Sequence, residues 1–306
     1  LLANPTEPPR FPFLLGQRGA ESCDMRSSSS SFHTIASFPL DPHEPFYQQY
    51  PAMKLGVRES VRHYARLLAP LAERIMAGEP ETLEWVLTAP PLYVIPAGAN
   101  LILREMCDML RESGRVRRSV DLRYARPNPG SRDITAGGDY AGAGIDARIG
   151  NRKSLYEGDW APQPDPADFR GKAVLVINDI NVTGTQQEFI HRMLEHVHPA
   201  SVHWLYLIQV DAAVGRAHPE VEYSLNHVNL ETIEEFAEVL RRTDVDYTPR
   251  FIKRLFGHPE SVLETLLGSM DKPCLKRLHR LLVEEGAYAG DQNQSGLALL
   301  QTYAGE

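Results

Sequence analysis

Val174-Leu175-Val176-Ile177-Asn178-Asp179-Ile180-Asn181-Val182-Thr183-Gly184-Thr185-Gln186 reads as a buried strand running into a turn and then a helix. Lys172–Ile177 ends in four consecutive apolar residues, the pattern of a parallel strand covered on both faces. Asp179 follows at the carboxyl end, where open α/β sheets place their ligands. Gly184 permits close backbone approach to a bound group. The amides of the turn and of the first helical turn have no partner inside the helix. With the helix dipole they make an anion site, to which the hydroxyls of Thr183 and Thr185 add donors. The stretch therefore reads as a phosphate held by residues 182–186, with a carboxylate just before it. That carboxylate suits sugar hydroxyls or a magnesium ion, not the phosphate. The competing reading is a plain strand–turn–helix corner whose Thr caps the helix. A kinase-type phosphate loop is excluded, since its Gly-x-x-x-x-Gly-Lys-Ser/Thr spacing is missing.

Outward from this stretch, a helix is expected from about Gln186 to His196 and another strand over Ser201–Val210. Upstream, Val61, Tyr64, Ala65, Leu68, Leu71, Ala72 and Ile75 recur at helical spacing. At least one of Trp85–Thr88 and Leu92–Ile95 is expected to be a strand. A helix then opens at Ala97-Gly98-Ala99, and Ser119–Tyr124 reads as a strand. Alternating strands and helices predict an α/β fold with a doubly wound, mostly parallel sheet. Residues 1–50, rich in Pro, Ser and Phe, read as an irregular extension. Residues 51–224 form the α/β core. Residues 225–306 show only helical signals and read as a helical C-terminal subdomain.

Composition bounds the function. The chain has 306 residues, 42% hydrophobic and 24% charged, as in ordinary globular proteins. A net charge of −8 argues against nucleic-acid binding, which needs a basic face. Three dispersed cysteines, Cys23, Cys107 and Cys274, argue against a disulfide framework. No apolar run approaches the roughly 20 residues of a membrane span, and no export signal is read. The expectation is a cytoplasmic protein with no membrane partner. His196, His198 and His203 cluster in sequence and read as surface histidines in preference to a metal site.

The stretch at 174–186 resembles the 5-phosphoribosyl-1-pyrophosphate (PRPP) signature of type I phosphoribosyltransferases, as a divergent bacterial member. That family has an apolar strand, two acidic residues, a short spacer and a small Thr/Gly-rich phosphate loop. The resemblance implies that Val182, Thr183, Gly184, Thr185 and Gln186 hold the 5-phosphate. It implies that Asn178 and Asp179 hold the ribose, with Asp179 also the ligand of a magnesium ion. Two positions depart from the pattern. Asn178 stands where the first acid would be, and Val182 stands where purine-salvage members carry an Asp proposed as a base. The family's pyrophosphate loop corresponds to Ala97, Gly98 and Ala99, and the alternative there is a tight proline-bounded turn. Its closing loop corresponds to residues 126–157, with Arg132, Asp139, Tyr140, Arg152 and Lys153. Arg148 joins Asp179 as a catalytic candidate, and the alternative is ordinary solvated charges.

The activity implied is a PRPP- and magnesium-dependent pentosyltransferase. It would move the phosphoribosyl group to a nucleobase-like or specialised-metabolite acceptor and release pyrophosphate, a biosynthetic role. Two other readings stay open: a non-catalytic PRPP or nucleotide-binding regulator, and a hydrolase of a ribosyl phosphate. The family often dimerises, so a homodimer is also open.

Overall fold

A computed structural model of the protein describes residues 29–38, 44–112, 116–124, 146, 149, 150, 162–286 and 291–305. Its centre is a five-stranded, all-parallel sheet in the order β1-β5-β4-β2-β3. These strands are Ser29–Phe38 (β1), Trp85–Thr88 (β2), Val116–Ser119 (β3), Ala173–Asn181 (β4) and Ser201–Val210 (β5). The doubly wound α/β fold expected from the sequence is thus the fold observed.

The apolar run of β4 has the two-faced burial its composition demands. Ala173, Leu175 and Ile177 enter one core, with Tyr64, Leu68, Ile102 and Met106. Val174 and Val176 enter the other, with Phe169, Ile190, Leu194 and Trp204. Successive side chains of a strand point to opposite faces, so a strand buried on both must be apolar throughout. The first face is covered by the helices Arg58–Ala77 (α3) and Gly98–Glu112 (α4), the second by Thr185–Glu195 (α6). Two short helices, Pro45–Gln48 (α1) and Tyr50–Leu55 (α2), precede α3, and Pro166–Phe169 (α5) precedes β4.

Neighbouring strands β2 and β4 send their chains in opposite directions. β2 leads through α4 to β3 at one edge, while β4 leads through α6 to β5 on the other side. Such a divergence opens a crevice beyond the carboxyl ends of the two strands.

Two expectations are corrected. Ser29–Phe38 is a strand, although residues 1–50 read as irregular. Its serines carry little apolar signal, and it is ordered by a parallel ladder to β5 running from Ser29↔Ser201 to Phe38↔Val210. The strand expected at Ser119–Tyr124 lies earlier, at Val116–Ser119, and basic residues at a sheet edge hid its start. Residues beyond it keep links to β2 itself, through Val120 N to Leu87 O, and to the loop after it, through a bridge of Leu92 with Arg123.

After β5 come Ala212–Ala217 (α7), Val221–Leu225 (α8), Ile233–Leu240 (α9), Pro249–Phe256 (α10), Glu260–Gly268 (α11), Lys272–Glu285 (α12) and Asp291–Ala304 (α13). This helical end has a core of its own, built on Phe236, Phe251, Leu267 and Leu278. Leu55, Val57 and Ile95 from the first part of the chain complete that core. No helix among the described residues is long and apolar enough to cross a membrane.

Candidate functional site

The crevice between β2 and β4 is an open cleft. One wall is Asn178–Gln187, and the other contains Pro90, Ala97 and Ala99. The two loops singled out in the sequence therefore face each other, although roughly 80 residues of chain separate them. Lys54, Tyr206 and Glu222 complete the lining.

The phosphate loop is held from beneath by Asn181. Its Oδ1 accepts from Gly184 N at 2.9 Å, and its Nδ2 donates to Gln187 and Gln209 at 3.0 and 3.1 Å. Gly184 is the N-cap of α6 in the left-handed region, φ 75°, and offers the first-turn amides no side-chain acceptor. Thr183 Oγ1 accepts from Thr185 N at 3.5 Å, a long bond, and pairs with Thr185 Oγ1 at 2.9 Å. Val182–Gln186 line the cleft, so the first-turn amides of α6 and the threonine hydroxyls stand beside it, the arrangement an anion site uses. From behind, Gly215 of α7 packs so closely that a Cβ there would lie 2.0 Å from the carbonyl oxygen of Val182.

Asn178 and Asp179 are both buried at the strand end. Asn178 Nδ2 donates to Gln186 at 3.2 Å, and its Oδ1 accepts from Asp179 N at 2.9 Å. Asp179 Oδ1 accepts from Ile180 N at 2.9 Å. Its Oδ2 is engaged by Lys54, whose Nζ also reaches Glu222 Oε1 at 3.0 Å. Burial pulls the Lys54 ammonium down, but Asp179 and Glu222 more than offset it and hold it above the usual lysine range. Burial, reinforced by the Asp179 charge, pushes the hydroxyls of Tyr50 and Tyr206 well up, so both stay protonated. Tyr206 donates to Gln187 at 2.8 Å.

The opposing loop is fixed from two sides. Asn100 Oδ1 accepts from Ala97 N and its Nδ2 donates to Pro90 O, both at 2.9 Å. Glu285, at the end of α12, accepts from Val94 N at 2.8 Å and Ile95 N at 2.7 Å. Helix α4 opens at Gly98, as expected.

Magnesium at Asp179 is not matched by this arrangement. Both oxygens of that carboxylate are engaged, one of them by an ammonium ion. Among the described residues no three His, Cys, Asp or Glu side chains gather as a metal site. His203 is buried on β5 and is not a surface residue, whereas His196 and His198 lie on the α6–β5 connection. Arg132, Asp139, Tyr140, Arg148, Arg152 and Lys153 lie outside the described residues.

Lys54, Asn181, Gln187, Tyr206 and Glu222 were missed in the sequence. Asn181 had a local signal, since an Asn three residues before a Gly commonly caps a turn. Lys54 and Glu222 had none, because only the fold brings them to Asp179.

A family model described as PRTase ComF-like matches residues 161–300, a little under half of the chain. No curated protein matches the chain at a significant level. The matched region contains β4, the Thr183-Gly184-Thr185 loop, α6, β5 and most of the helical end. Taken with the parallel sheet and the cleft at its switch point, this similarity supports a type I phosphoribosyltransferase-like family.

Proposed function

We propose that the cleft binds PRPP and that the protein transfers its phosphoribosyl group to a small nitrogenous acceptor, releasing pyrophosphate. The observation that carries this reading is the juxtaposition of the 182–186 loop with Ala97–Ala99 across the β2/β4 crevice. One phosphate loop would serve any phosphosugar, but two loops on either side of a carboxylate match a sugar phosphorylated at both ends. In this reading the amides and hydroxyls of 182–186 hold the 5-phosphate, Asp179 and Asn178 take the ribose hydroxyls, and the 97–99 backbone meets the pyrophosphate. The C1–oxygen bond to pyrophosphate breaks as the acceptor's lone pair forms the new bond to C1. The electron pair leaves on pyrophosphate, and the acceptor's proton passes to solvent. Charge at the transition state is delocalised over the ribose, so positioning and electrostatics supply the catalysis. Val182 is apolar and moves no proton.

A second reading, a PRPP-binding regulator without turnover, is favoured by the pairing of Asp179 with Lys54 and by the amide at Asn178.

Thermal unfolding with and without PRPP tests the binding. Ligand at about 100 times its dissociation constant adds about 2.7 kcal/mol. In a chain of this size that raises the midpoint by about 4 °C. The shift is expected in the parent and absent in Thr183→Ala/Thr185→Ala. Pyrophosphate release over a panel of nucleobases then separates transferase from regulator, and PRPP hydrolysis without acceptor identifies the hydrolase. A shift with ATP but not with PRPP contradicts the assignment.

A further inference from the structure

Asp179 stands where the ligand's ribose is placed, and it already has a cation. The Lys54 ammonium is shared between Asp179 Oδ2 and Glu222 Oε1, and all three side chains are only 10–13% exposed. Lys54 is not a surface lysine that happens to reach inward. Its carbonyl oxygen accepts from Thr248 Oγ1 at 2.6 Å, which ties α2 to the start of α10. The next residue back, Met53, presses its sulfur on Gly98, where a Cβ would stand 2.7 Å away. Lys54 is thus anchored at once to the helical end and to the helix that opens the 97–99 loop.

An ammonium has three donors. Two are spent on the carboxylates, and Lys54 itself lines the cleft. Arg250 is a second cation within electrostatic range of Lys54, but Lys54 alone is bonded to both carboxylates, so withdrawing it would remove the charge that Asp179 and Glu222 share beside an incoming polyanion. That would cost more than either ion pair alone.

We infer that the Lys54 ammonium, fixed between Asp179 and Glu222, is the resident cation of the cleft and does the work of a divalent ion between ribose and pyrophosphate, so that PRPP binds without magnesium. The inference rests on the PRPP reading above. Lysine meets phosphate as a compact point charge, which suits this place. Glu222 sets its position, since it holds the same ammonium that Asp179 holds and lines the cleft with it.

Calorimetric titration of the full chain with PRPP, in excess EDTA and in excess magnesium, tests it. The parent is expected to bind equally in both buffers, within about twofold. Lys54→Met is expected to weaken binding in EDTA by about tenfold or more, the scale of a lost charged hydrogen bond, with magnesium recovering part of the loss. If Lys54→Met alone is unfolded by circular dichroism, Lys54→Met/Glu222→Gln, which removes one of the two carboxylate charges as well, is titrated instead with the same expectation. Parent binding that requires magnesium overturns this inference and leaves the PRPP reading standing, as does a folded lysine variant that binds like the parent in EDTA. Absence of binding in both buffers overturns both.

Discussion

Gly215 has no room for a side chain, because the carbonyl oxygen of Val182 occupies the place of its Cβ. Gly215→Ala should push the phosphate loop out of position. It should cost about 1–3 kcal/mol by urea denaturation, as overpacking does, and weaken PRPP binding as well. Gly184→Ala is a different test. It meets no atom within 4 Å, and only its φ of 75° is unfavourable for an L-residue. Its cost in stability should be about 1–2 kcal/mol. At this scale the sequence showed what is local. Asp179, Thr183, Gly184 and Thr185 sit where their order along one strand–turn–helix said they would. Lys54 was invisible, because 125 residues separate it from its partner Asp179, and no spacing rule reaches that far.

The elements around the cleft depend on a few side chains that cross from one to another. Glu285 ties the end of α12 to the loop after β2. Burial pushes its carboxyl up, although the two amides it accepts from draw it back. Glu285→Ala leaves both amides without an acceptor and should cost about 2–4 kcal/mol. Glu285→Gln keeps a carbonyl acceptor and should cost less than about 1 kcal/mol, within the net worth of one hydrogen bond. Chemical denaturation of the two variants compares them directly.

At the sheet edge, β1 is stapled to β5 through Ser31, whose Oγ is 2.7 Å from both His33 Nε2 and His203 Nδ1. His203 Nε2 lies 3.0 Å from Ser201 Oγ and 3.3 Å from Glu79, with the Trp85 ring beside it. Burial lowers His203, Glu79 raises it in part, and His33 lowers it further; His33 itself is lowered by burial. The folded chain therefore resists protons that the unfolded chain accepts. Stability should fall as pH drops below about 6.5, the ordinary histidine value, until the folded histidines titrate. His203→Gln should flatten that fall in a series of melts from neutral to mildly acid pH. Strands β4 and β5 were legible because burial on both faces demands apolar runs. β1 was not, since its order comes from a backbone ladder that a Ser-rich sequence does not announce.

Across the whole molecule, the sheet and the helical end both contribute to the cleft. The sheet supplies the ends of β2 and β4, and the helical end reaches back through Glu285 and Thr248 to the loop and the lysine that face them. The match over residues 161–300 likewise runs from before β4 into α13, so the family's sequence pattern spans both parts. Helices over 225–306 were legible from their apolar periodicity. Their contribution to the cleft was not, because it is made by single side chains at helix ends.

Competitive calorimetry tests the proposal that one cleft takes a sugar phosphorylated at both ends. PRPP, ribose 5-phosphate and inorganic pyrophosphate are titrated into the parent and into Thr183→Ala/Thr185→Ala. The account predicts one site, PRPP tighter than either half, and a variant that loses affinity for PRPP and ribose 5-phosphate but keeps that for pyrophosphate. A folded parent that takes up no PRPP, or a variant that binds all three as the parent does, would contradict it.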